Sequence, residues 1–350
     1  MSIKKYLPLF SLVLLVAGCD NCNNKNVKIA KWATATDGAT LACGSTINAQ
    51  LAFNDGEEKI DSVVYAFDRE RKMASSILTE AFKISTETLN PGVYNLTATI
   101  YKSDKKEVHS AAITLVSDIK PELIEKKIGA VFPHNTKNFT EGFFILNDMV
   151  YESTGMNGTS YTCRYKLGNV AEEKLTTLPN EYFGEGSICY DNKLIQLTWK
   201  NGIGLIYDAT TLKKIGEFRI GGEGWGLTYN GSQLIMSDGT HRLFFMNKET
   251  YAVEKIVEVY DNIGRVVNLN ELEYVDGIIY ANIWMKDEIV KIDAKNGKIL
   301  SYINCEGLLT SAEIEKYQCD VLNGIAYDSK TKKLYITGKN WPKIFELISN

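Results

Sequence analysis

LNELEYVDGIIYANIW, Leu269 to Trp284, reads as one tight hairpin. A strand runs Leu269–Val275, Asp276-Gly277 turns, and a second strand runs Ile278–Trp284. Asp-Gly between β-rich runs supplies the positive φ that a two-residue hairpin turn needs. The unit recurs. Glu141-Gly142 opens EGFFILNDMVYESTG, Glu185-Gly186 opens EGSICYDNKLIQLTW, Trp225-Gly226 opens WGLTYNGSQLIMSDG, and Asn323-Gly324 opens NGIAYDSKTKKLYITGK. Each has a polar turn at its middle.

The openings fall at 142, 186, 226, 272 and 324, so the period is 40 to 52 residues. Repeats of that length made only of short strands predict the blades of a β-propeller. Two outer strands follow a hairpin, as in GLIYDATTLKKIGEF and IVKIDAKNGKILSYI. Five such blades account for residues 119–350. Leu123–Val131 has strand character and is expected to close the ring as the outer strand of the last blade, since closure removes exposed strand edges. A hairpin brings the start of its first strand beside the end of its second. Two sets of residues should therefore meet at one mouth of the channel. The strand starts give Glu141, Glu185, Trp225, Asn270 and Asn323. The strand ends give Glu152-Ser153, Trp199-Lys200, Asp238, Trp284 and Lys339. Such a set suits a small polar group held between apolar walls.

The chain ahead of the repeats is different. Lys4-Lys5, the apolar Leu7–Val16 and the box Val16-Ala17-Gly18-Cys19 read as a lipoprotein signal over residues 1–19. The apolar run is too short for an ordinary membrane span. The expectation is a bacterial envelope protein outside the cytoplasm, held to a membrane by lipid on Cys19. Residues 20–38 are polar and read as a tether. Residues 39–118 alternate apolar and polar in STINAQLAF, IDSVVYAFD, AFKIS, GVYNLTATIYK and EVHSAAITLV. They predict a small immunoglobulin-like β-sandwich, a spacer or docking module with no catalytic groups. The fold class is all-β: a five-bladed β-propeller preceded by this sandwich.

Composition narrows the chemistry. Besides Cys19 there are six cysteines, Cys22, Cys43, Cys163, Cys189, Cys305 and Cys319, an even number that permits disulfides outside the cytoplasm. Cys305 and Cys319 flank a predicted short helix, Ser311–Tyr317, and could staple it. The three histidines, His109, His134 and His241, are too far apart for a His-rich zinc site. The net charge is −4 with no basic run, so nucleic acid is not an expected partner. Glu271 and Glu273 share one face of a strand and could take backbone N–H groups or a cation. A structural calcium is compatible with such oxygen ligands, although no Asp-rich loop announces one. No other cofactor is required, and a monomer is expected.

Nine motifs then appear in order: FTEG (139–142), YESTG (151–155), FGEG (183–186), QLTWK (196–200), GWGLT (224–228), LNELEY (269–274), ANIW (281–284), LNGIAYD (322–328) and TGKNWP (337–342). From Phe139 onward the chain resembles the plant-type glutaminyl-peptide cyclotransferases, a five-bladed propeller family also found in bacteria. The resemblance implies that the α-amine of an N-terminal glutamine attacks its own side-chain amide, forming pyroglutamate and releasing ammonia. The partners implied are peptides or proteins with N-terminal glutamine. Proximity is supplied by the five-membered ring. What remains is proton transfer and stabilisation of the oxyanion.

Glu185 matches the family's proposed catalytic glutamate and is expected to carry the proton. Trp199, Trp225 and Trp284 match its pocket residues. Asn270 and Lys339 match further site positions, for holding the substrate amide and for stabilising charge. Phe139, Glu141 and Phe183 would complete the floor and rim. Glu141 stands where the family often has Gln. Taken one by one, these residues have plainer readings: tryptophans pack blade on blade, Glu before Gly sits in a turn, Lys339 is solvated, and Asn270 caps a strand. Two other functions remain open from the sequence. One is a non-catalytic propeller that binds exported peptides or glycans. The other is a calcium-dependent hydrolase or lactonase using His241 near Asp238.

Overall fold

A computed structural model describes residues 28–348 apart from 35–36, 55–59, 69–70 and 76–80. The predicted signal over 1–19, its lipid site Cys19, and Cys22 lie outside the described residues. No described helix is long and apolar enough to cross a membrane.

The repeats fold as five sheets in chain order. The first contains Thr140–Leu146, Met149–Thr154, Tyr161–Tyr165 and Glu173–Thr177. The second contains Gly184–Tyr190, Lys193–Thr198, Ile203–Asp208 and Lys214–Arg219. The third contains Leu227–Tyr229, Gln233–Ser237, Arg242–Asn247 and Val253–Glu258. The fourth contains Leu269–Val275, Ile278–Ile283, Glu288–Asp293 and Ile299–Asn304. The fifth contains Leu322–Asp328, Lys333–Gly338 and Lys343–Leu347. The turn residues explain the hairpins: Asn147-Asp148, Asp191-Asn192 and Asp276-Gly277 all have positive φ at both positions, between 44° and 91°. That backbone matches the twist of the flanking strands.

The first strand of each sheet packs against the first strand of the next, and Leu322–Asp328 returns to pack on Thr140–Leu146. Leu123–Val131, expected as one strand, is two. Glu122–Glu125 pairs parallel to Ile299–Asn304 on the fourth sheet. Ile128–Pro133 pairs antiparallel to Lys343–Leu347 and completes the fifth. The N-terminal edge of the ring is thus sealed on two neighbouring sheets. Apolar clusters fill the spaces between sheets, one of them around Leu194, Leu197, Leu234 and Met246.

The N-terminal unit has a five-stranded sheet ordered Ala39–Ala42, Lys105–Val116, Gly92–Lys102, Ser62–Phe67 and Arg71–Ser75. Two short strand pairs, Ala30–Trp32 with Leu51–Phe53 and Thr46–Ala49 with Phe82–Ser85, accompany it. Ile47, Leu51, Ile84, Leu96, Ile100 and Ile113 form their shared core. The expected tether over 20–38 is corrected at its end. Ala30 is buried in that core, and its strand pairs with Leu51–Phe53, because AKW is apolar at alternate positions despite its polar surroundings.

The expected staple between Cys305 and Cys319 is also corrected. Cys43, Cys163, Cys189, Cys305 and Cys319 are free thiols. The Cys319 thiol instead faces backbone carbonyls of Asn340 and Glu313, at 3.4 and 3.7 Å. The helix Ser311–Tyr317 is held by a capping box between Thr310 and Glu313 and by Lys343 on Glu313. His134 is buried behind the first sheet, 3.1 Å from Glu152.

Candidate active site

Four of the five first strands carry a register shift where the candidate residues sit. The shifts fall between Thr140 and Gly142, Gly184 and Ser187, Leu269 and Leu272, and Leu322 and Ile325. A bulge turns a side chain out of strict alternation. Here the bulged residues are Glu141, Glu185, Asn270 and Asn323. At Trp225 and Gly226 both residues face Ser237, through Trp225 N–H to Ser237 O and Ser237 N–H to Gly226 O.

Glycine after each acid lets neighbouring sheets touch. A Cβ on Gly142 would lie 2.6 Å from Ser187 N, and one on Gly186 would lie 2.6 Å from Leu227 N and Trp225 O. The junctions are tied by Ser153 Oγ donating to Glu185 O and Ser237 Oγ donating to Asn270 O, each at 2.7 Å. Lower in the channel, Glu271 accepts Phe143 N–H and Ile325 N–H, and Glu273 accepts Tyr327 N–H and the Thr228 hydroxyl. These acids bind backbone across the sheets. Among the described residues, no group of three or more His, Cys, Asp and Glu is placed to hold a metal ion.

All nine candidate residues line one cavity of about 330 Å³: Phe139, Glu141, Phe183, Glu185, Trp199, Trp225, Asn270, Trp284 and Lys339. Met285 and Asp320 complete it. Phe183 meets Trp199 edge-on at 5.4 Å, and Trp225 meets Trp284 at 5.8 Å. Trp284 is 40% exposed and forms the rim, whereas Glu185 at 5% and Glu141 at 1% are deep. The tryptophans thus serve both readings: they stack on one another and face the cavity.

The acids have unusual surroundings. Lys339 Nζ donates to Glu141 Oε1 at 2.6 Å, and Asn323 Nδ2 donates to Glu141 Oε2 at 3.3 Å. Glu141 and Glu185 are close enough for each to shift the other's ionisation. Burial pushes Glu141 up to about 7 against the pull of Lys339. Burial, and then the neighbouring Glu141, push Glu185 well above the ordinary carboxyl range. Burial therefore favours the protonated form of the Glu185 carboxyl. Asn270 Oδ1 is buried in the cavity wall without a partner.

Not every predicted residue converges. Glu152 lies at a strand end but on the opposite face from Ser153. It accepts from Thr140, Asn138 and Tyr165 and pairs with His134. Asp238 turns to Thr240 and Arg242. His241 pairs with Glu258 at 3.7 Å, away from the cavity. Glu223 was not legible: its Oε2 accepts both the Trp199 indole N–H at 2.7 Å and the Trp225 indole N–H at 2.9 Å. Its only sequence signal is an acid in the glycine-rich loop before Trp225. Asp320 and Met285 carried no signal. Asp320 also borders a second cavity of about 360 Å³ lined by Leu308, Ile314, Cys305, Cys319 and Trp341.

A ring of sheets with an apolar-walled pocket, a buried carboxyl pair and a lysine describes an all-β protein with a site for a small substrate. A sequence profile of the family described as glutamine cyclotransferase matches residues 96–348. Glutaminyl-peptide cyclotransferase of Arabidopsis thaliana is 38% identical over 238 residues, which cover 66% of this chain and 73% of that protein. The crystal structure of Myxococcus xanthus glutaminyl cyclase matches with a TM-score of 0.57 at 31% identity, over 65% of this chain and 98% of that one. The chain belongs to the glutamine cyclotransferase family.

Proposed function

We propose that the chain is a glutaminyl-peptide cyclotransferase with Glu185 as its proton-carrying residue. The observation that carries this is the meeting of all nine candidate residues in one cavity, with Glu185 at its buried end. The substrate's side-chain amide enters between Trp199, Trp225 and Trp284. Asn270 Oδ1 takes a substrate N–H and orients the amide or the amine. The α-amine attacks the amide carbon, and negative charge develops on the oxygen. Lys339 has three donors and spends one on Glu141, which leaves others for that oxyanion. Amide ion is a poor leaving group, so the departing nitrogen needs a proton. Glu185, protonated by burial, is the donor beside it. Apolar walls exclude water and keep the carboxyl in this state.

Further features belong to the same reading. The five sheets are blades of a five-bladed β-propeller over residues 119–350, supported by the first-strand contacts that run from sheet to sheet and back. The N-terminal unit is a small immunoglobulin-like sandwich that starts near residue 30 and ends near 118. Residues 1–19 are a lipoprotein signal, so lipid on Cys19 holds a monomer in the bacterial cell envelope, where it meets peptides with N-terminal glutamine. No cofactor is needed for the chemistry, and calcium, if bound, is structural.

The test uses soluble protein starting after Cys19, with EDTA present and a short peptide bearing N-terminal Gln. Ammonia release and the matching mass loss report turnover. Glu185→Gln is expected to lower kcat by about 10²- to 10⁴-fold. A folded wild type that turns over no Gln peptide would overturn the function. Full activity in the variant would overturn the role of Glu185. Labelling with an alkyne fatty acid, lost in Cys19→Ser, tests the anchor.

A further inference from the structure

A protonated Glu185 leaves one step without an agent. It can give a proton to the departing nitrogen, but it cannot take one from the attacking amine. The cavity contains one other glutamate, Glu141. Its backbone sits against that of Glu185: a Cβ on Gly142 would lie 3.0 Å from Gly186 Cα, so the two carboxyls hang side by side. Their environments differ. Glu141 holds Lys339 at 2.6 Å and Asn323 at 3.3 Å. Among the described residues Glu185 forms no ion pair, and its carboxyl faces Glu141. A cation and two donors favour charge on Glu141, and two adjacent buried carboxyls do not both ionise. One proton therefore sits on Glu185 while Glu141 remains a carboxylate.

We propose that Glu141 is a second catalytic residue, taking the proton of the attacking α-amine while Glu185 gives its own to the departing nitrogen. The inference rests on the cyclotransferase reading above. The balance closes. From the neutral amine, a bond forms between the α-nitrogen and the amide carbon. The bond from that carbon to the amide nitrogen breaks, and its electron pair leaves with nitrogen. The α-nitrogen loses one proton to Glu141, and the leaving group gains one from Glu185 to become ammonia. The pair still holds one proton, now on Glu141. Transfer between the adjacent carboxyls, back to Glu185, restores the starting state. A single ionised glutamate would instead act first as base and then as acid.

The two schemes differ in their response to pH. The groups facing the pair are Lys339 and Asp320 on the Glu141 side, Glu223 on the Glu185 side, and Glu271 below. In the wild type two groups must lose a proton for kcat/KM to rise: Glu141, at about 7, and the substrate amine, ordinarily about 7.7. Below these values log kcat/KM should climb with a slope of two. In Glu141→Gln the like charge is gone and Lys339 turns to Glu185, so Glu185 ionises at lower pH and serves alone. The slope between roughly pH 5.5 and 7 falls below two, toward the one that the substrate amine alone sets. At pH 8 the variant should lose about tenfold or more in kcat, with KM within about threefold.

The same slope and kcat in variant and wild type would overturn the pair while leaving the cyclotransferase reading intact. Absence of wild-type turnover would overturn both. An independent measurement does not need Glu141→Gln to fold. The infrared band of a protonated carboxyl in the wild type at pH 7 should lose intensity in Glu185→Gln. An unchanged band would mean that Glu185 holds no proton and would overturn the proposal.

Discussion

Glu223 holds two walls of the pocket with one oxygen. Both indole N–H groups, of Trp199 and Trp225, donate to its Oε2. Hydrogen bonds to a charged acceptor are worth more than neutral ones, about 1.5–3 kcal/mol each. Glu223→Ala frees both rings, so the cost should appear in binding: KM for a Gln peptide rises several-fold while kcat changes less. Steady-state kinetics check this, and an unchanged KM would mean that the rings are positioned by stacking alone. Glu141, Glu185, Trp199, Trp225, Asn270, Trp284 and Lys339 were legible because each sits at a strand start or end inside an ordered motif. Glu223 was not, because loop residues have no period from which a side-chain direction follows. Glu152 shows the converse error. Its place at a strand end was right, but successive strand residues point to opposite faces, and Ser153 rather than Glu152 faces the neighbouring sheet.

The same alternation governs the elements. Hairpins with Asp-Gly or Asn-Asp turns could be read directly, since the turn backbone demands those residues. The bulges could not, because they depend on what lies across the ladder. Yet the bulges bring Glu141, Glu185 and Asn270 together, and the glycine after each glutamate is the trace they leave in the sequence. Gly186→Ala tests this. Its Cβ would meet backbone, Leu227 N and Trp225 O, which cannot swing aside as a side chain can. Overpacking of this kind costs about 1–3 kcal/mol, or on the order of 5 °C in melting temperature at this size. Activity should fall further than stability accounts for, because the strand that carries Glu185 must shift. A variant that melts and turns over like the wild type would show that the sheets have slack where they meet. The two short edge strands, Glu122–Glu125 and Ile128–Pro133, were read as one because both are apolar enough. Their separate partners are set by tertiary pairing.

On the scale of the whole molecule, the N-terminal unit does not float free. Ser117 N–H donates to Asp261 O at 3.0 Å and Lys298 pairs with Asp118 at 2.6 Å, so the chain enters the ring against its third and fourth sheets. Inside the ring the sheets are joined by buried acids, and this makes stability depend on pH. Burial raises Glu273 from 4.5 to about 8. Between those values the folded protein keeps a proton that the unfolded chain releases. Stability from this group is therefore full below about 4.5, falls as pH rises, and levels off above about 8. The loss is on the order of a few kcal/mol. Glu141, Glu185 and Glu271 are raised too and act in the same sense. Glu273→Gln isolates one contribution: its amide oxygen can still accept from Tyr327 N–H and its amide nitrogen can donate to the Thr228 hydroxyl oxygen, but it cannot ionise. Thermal melts should give nearly equal midpoints for the two proteins at pH 5 and a higher midpoint for the variant at pH 8. Parallel curves across that range would mean that Glu273 ionises in the folded ring without penalty, through water admitted to the channel. The acids that join the sheets would then owe their place to hydrogen bonding alone.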